Sequence, residues 1–105
     1  MILRDIAHVR TGDKGDICQI AVFAYRPHDY ALLLENVTTD RIAAHLGRLP
    51  RGRITRYELP GLHAINFVLE GALQGGVTRS LALDAHGKTL GAQLLDLPIL
   101  LKGSP

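Results

Sequence analysis

The chain has 105 residues, 47% of them hydrophobic and 21% charged, and a formal charge of only +2. That length holds one core rather than two, and the composition excludes a disordered chain. The lone Cys18 excludes an intramolecular disulfide framework and a cysteine-built zinc ribbon, and no apolar run approaches the ~18 residues of a membrane span. A single cytoplasmic domain over residues 1–105 is expected, with no signal-peptide pattern at its start and a frayed tail over 102–105.

Residues 2–10, ILRDIAHVR, have the β-branched content and alternation of a strand. Residues 11–16, TGDKGD, read as a loop, because two glycines and two aspartates leave no apolar face. Residues 17–25, ICQIAVFAY, form a near-continuous apolar run of strand length, stopped by Pro27. HDYALLLEN, over 28–36, is open between a short helix and other structure. Thr38 or Thr39 can then cap a helix running to Gly47, with Asp40 in its first turn and Ile42, Ala43 and Leu46 on its buried face.

RITRYEL, over 53–59, sets Ile54, Arg56 and Glu58 on one side of a strand and Thr55, Tyr57 and Leu59 on the other. Pro60-Gly61 closes it. Residues 62–73 carry Leu62, Ile65, Leu69, Ala72 and Leu73 at helical spacing, which predicts a helix. A strand over 64–69 is the competing reading. Residues 78–84 alternate as a strand, 84–88 read as a hairpin turn around Gly87, and 89–97 return as a strand offering Leu90, Ala92, Leu94 and Leu97 to the core. The order strand, strand, helix, strand, helix, strand, strand predicts an α+β fold. Its architecture is a two-layer α/β sandwich of the ferredoxin-like kind, one sheet with two helices on one face.

Three segments in order bear on family. They are Arg10-Thr11-Gly12-Asp13-Lys14-Gly15-Asp16, then Arg56 to Leu62 (RYELPGL) with Asn66-Phe67, then Gly75-Gly76 with Ser80-Leu81, Asp84 and Gly87-Lys88. Together they resemble the C-terminal domain of the acyclic terpene utilisation protein A family, over almost the whole chain. The resemblance implies a ferredoxin-like fold. It also implies a place in bacterial breakdown of branched or terpenoid acids as acyl-CoA thioesters, which makes an acyl-CoA the ligand class to expect; the residues themselves imply no cofactor. In that family the domain usually follows a much larger N-terminal domain, so this chain is expected to be a stand-alone version of it. One departure is visible: Gln19 stands where the pattern after the GDKGD segment has Asn.

The TGDKGD segment carries the most chemistry. Gly12 and Gly15 can leave backbone N–H groups open to an anion. Lys14 can hold a phosphate, carboxylate or thioester carbonyl, or act as a base when desolvated. Asp13 and Asp16 can move protons or ligate a hard cation. The P-loop spacing is missing, and an Asp-rich turn with a solvated lysine satisfies the same pattern. Arg56 and Glu58 share a strand face, which suits an ion pair or a polar cleft lining. Asn66 among apolar neighbours must find partners, at the Pro60-Gly61 turn or on a ligand. Arg79 and Ser80 after Gly75-Gly76 can assist anion binding, though no nucleophile elbow surrounds Ser80. His8, His28, His45, His63 and His86 show no metal-ligand spacing, so no metal site is assigned. Cys18 is expected to pack as a small hydrophobe.

Arg41, Arg48, Arg51, Arg53 and Arg56 form a basic stretch. Only Tyr57 lies near it as an aromatic platform, so nucleic acid ranks last among partners. The favoured expectation is a small subunit assembling with a separately encoded protein like the family's N-terminal domain. The second is an independent homo-oligomeric lyase, hydratase or hydrolase acting through the GDKGD segment. Homo-oligomerisation suits both, because a single helix layer leaves the other sheet face without cover.

Overall fold

The computed structural model describes residues 1–14, 17–46, 53–70 and 90–101. Four strands form one antiparallel sheet: β1 (Ala7–Lys14), β2 (Ile17–Ala24), β3 (Ile54–Leu59) and β4 (Ala64–Glu70), in the spatial order β1-β2-β4-β3. Between β2 and β3 lie α1 (Tyr30–Asn36) and α2 (Thr39–Leu46), and α3 (Leu90–Leu94) follows β4. Strands β2 and β3 are therefore parallel to each other, joined by a helical crossover, with β4 inserted antiparallel between them. This is the split β-α-β unit of a ferredoxin-like fold. β1 precedes it in sequence and pairs along the outer side of β2.

One sheet face carries the core. Cys18, Ile20 and Val22 of β2 and Ile65, Phe67 and Leu69 of β4 are buried against Leu33, Val37, Ile42, Leu46, Leu94 and Leu97. Each such side chain contributes roughly 1.5–3 kcal/mol through its loss of water contact. Thr38 begins α2 by accepting the Arg41 N–H at 3.2 Å on its hydroxyl oxygen. Ile42 and Leu46, one turn apart, then face the sheet. Ala43 does not join them and is exposed. Cys18 packs in the core, as its apolar neighbours imply.

Several expected elements differ. Residues 3–5 form a 3-10 turn instead of the start of a strand, since the Asp5 carboxylate accepts the Ile2 N–H at 2.9 Å and bends the chain. Residues 11–14 are strand, not loop: the β1–β2 ladder continues through Gly12↔Gln19 and Asp13↔Cys18 to Lys14↔Ile17. Continuous backbone pairing outweighs the weak strand preference of Gly and Asp. The helix expected over 62–73 is absent over 64–70, which is β4. Ile65 and Leu69 suit both periods, but β4 is central, and Ile65, Phe67 and Leu69 alternate against the helices. The strand expected over 89–97 is replaced by α3, which leaves Leu94 and Leu97 buried at three-residue spacing. The expected strand over 78–84, its hairpin at 84–88 and the tail at 102–105 lie outside the described residues.

The two ends of the described chain meet. The Leu3 N–H donates to the Leu97 carbonyl at 2.8 Å, and the Ile99 N–H to the Met1 carbonyl at 2.9 Å. Asn36, 3% exposed, then ties this segment to the helices. Its amide nitrogen donates to the Leu32 and Leu100 carbonyls, both at 3.0 Å. Its Oδ1 accepts from the Leu100 N–H at 2.7 Å and from Arg41 Nη1 at 2.9 Å. Arg41 adds bonds to the Asn36 carbonyl at 3.1 Å and the Pro98 carbonyl at 2.7 Å.

Candidate functional site

The sequence-predicted site residues divide between the two sheet faces. Partners in register share a face, and neighbours along a strand alternate. Arg56 pairs with Phe67 and projects toward the helices. Its Nη1 donates to the Leu34 carbonyl at 2.9 Å and the Val37 carbonyl at 3.0 Å. Its Nη2 donates to the Glu58 carboxylate at 2.8 Å. The expected same-face pair with Glu58 is present, and the guanidinium is also committed to the end of α1. Carbonyls there lack partners within the helix and carry the negative end of its dipole, so a cation fits. Two inward-pointing charges on edge strand β3 also discourage pairing with another chain.

Asn66 and Gly12 face the other way. The face opposite the buried core, on which no helix packs among the described residues, has Gly12, Gln19, Val68 and Thr55 in one row, then Arg10, Ala21, Asn66 and Tyr57, then His8, Phe23, Ala64 and Leu59. Asn66 is half-buried in the middle of this face, opposite Ala21 and Tyr57 rather than at the Pro60-Gly61 turn. Gly12 is exposed, and a Cβ placed on it would meet nothing within 4 Å. Asp13 and Lys14 end β1 in register with Cys18 and Ile17. Gly15, Asp16, Arg79 and Ser80 lie outside the described residues, so the GDKGD segment enters through its first half alone.

These three rows hold no Asp or Glu and one Arg, and the next row of the same face holds Glu70, opposite Ile17 and exposed. The face carries rings in quantity. His8 stacks on Phe23 with centroids 5.1 Å apart and planes 12° from parallel, and on Tyr25 at 5.4 Å and 30°. Tyr25 and Tyr57 are 60% and 51% exposed. The apolar run of β2 concealed this surface. Read in alternation, Gln19, Ala21, Phe23 and Tyr25 form a face separate from Cys18, Ile20 and Val22. Asn36 was also legible, as an amide ending the apolar helix segment LLLEN.

Of the basic stretch, Arg41 and Arg56 are bound to backbone carbonyls and Arg53 is exposed, while Arg48 and Arg51 lie outside the described residues. A nucleic-acid surface built on the whole stretch loses two of its cations to internal bonds. Among the described residues no group of His, Cys, Asp and Glu is placed to hold a metal ion, and no helix is long and apolar enough to cross a membrane.

Tyr30 sits beside the Arg56–Glu58 pair. Its hydroxyl donates to the Ala64 carbonyl at 3.0 Å, and its ring meets His63 edge-on at 5.8 Å. Burial above all, with help from the Glu58 charge, pushes its pKa above the usual phenol value, while the Leu59 N–H and Arg56 oppose the rise. The folded state thus holds the phenolic proton more tightly than the unfolded chain. That contribution is complete below about pH 10 and disappears as pH rises through the folded pKa. Tyr30→Phe should cost about 1 kcal/mol at neutral pH. Urea unfolding should also show a smaller stability loss above about pH 10 in the variant than in the parent; equal losses would contradict this placement.

A family model for the AtuA ferredoxin-like domain matches residues 1–100. No curated protein and no solved structure matches the chain. The fold agrees with that family, through an antiparallel four-stranded sheet with helices packed on its buried face among the described residues. The chain belongs to the AtuA ferredoxin-like domain family.

Proposed function

We propose that this protein is a small accessory subunit that assembles with a separately encoded larger protein, one like the N-terminal domain of its family. The complex works in the cytoplasm on acyl-CoA thioesters of branched or terpenoid acids. One observation carries the reading: the described candidate residues do not converge. Arg56 is tied to the end of α1 on the helix side. Asn66 and Gly12 lie across the sheet on its opposite face, on different strands. A catalytic pocket needs its acid, base and anion-binding groups within hydrogen-bond reach of one reacting atom. Separation by the thickness of a sheet supports a role in assembly over a role in turnover.

Tagging the full chain in its native host tests this. A larger protein with a family N-terminal sequence should co-elute at fixed stoichiometry. The isolated chain should neither hydrate nor hydrolyse acyl-CoA substrates. Turnover by the isolated chain that disappears in Lys14→Ala, with folding intact, would overturn the proposal in favour of an independent enzyme working through the GDKGD segment.

A further inference from the structure

We draw no further inference here: the strongest candidate, the sheet face opposite the buried core with its His8–Phe23–Tyr25 ring stack, carries charges of both signs in Arg10 and Glu70, and nothing among the described residues shows what covers it.

Discussion

Asn36→Ala should lower the free energy of unfolding by about 3 kcal/mol. Asn36 is buried, and its amide uses both N–H donors and both oxygen lone pairs on neighbours from three parts of the chain. Truncation leaves the Leu100 N–H and carbonyl without the amide. It also removes one acceptor from the part-buried guanidinium of Arg41. An unpaired buried group costs its full desolvation, about 1–3 kcal/mol, and a charged one more. Asn36→Asp makes the complementary test. It keeps the acceptor for Arg41 and loses the donors to Leu32 and Leu100, so it should fall between parent and alanine variant at neutral pH. Urea midpoints with unchanged slopes would measure both. An alanine variant within about 0.5 kcal/mol of the parent, the range of ordinary surface substitutions, would show that the Asn36 bonds do not hold the chain ends.

Arg56→Met is expected to cost about 2–3 kcal/mol, because two carbonyls at the end of α1 lose a charged donor. The methionine keeps much of the apolar stem, so the loss reports hydrogen bonds more than packing. Glu58→Gln is the informative control. Its carboxylate is half exposed, and exposed ion pairs contribute about 0–1 kcal/mol, so this variant should lie close to the parent. Arg56→Lys should rescue poorly, since one ammonium cannot span Leu34, Val37 and Glu58 with the fork of a guanidinium. Equal costs for Arg56→Met and Glu58→Gln would place the stabilisation in the ion pair instead of the helix end.

Both variants bear on how Arg56 is understood. Alternation put it on one face with Glu58, and that pair is present at 2.8 Å. Its carbonyl partners Leu34 and Val37 lie 22 and 19 residues away in sequence. No local pattern encodes where a crossover helix ends against an edge strand. Asn66 shows the same limit in reverse. It was expected to anchor a nearby turn or orient a ligand, and its register places it mid-face, opposite Ala21 and Tyr57.

Much of the fold follows from the order of residues alone. β2, α2 and β3 each combine an unambiguous period with a stop or a cap: Pro27 after β2, Thr38 before α2, Pro60-Gly61 after β3. The two-layer α+β class and the family resemblance also follow from sequence. Tertiary structure decided the rest. Residues 64–70 satisfy helical and alternating patterns together, and a central place between β2 and β3 selects the strand. Residues 11–14 have loop composition, and the ladder to β2 makes them strand. Local preference amounts to tenths of a kcal/mol per residue, whereas paired backbone groups and a buried apolar face contribute several kcal/mol per element. The candidate residues followed the same rule: their types were legible along the chain, but which face each one occupies depended on register, and register is a property of the assembled sheet.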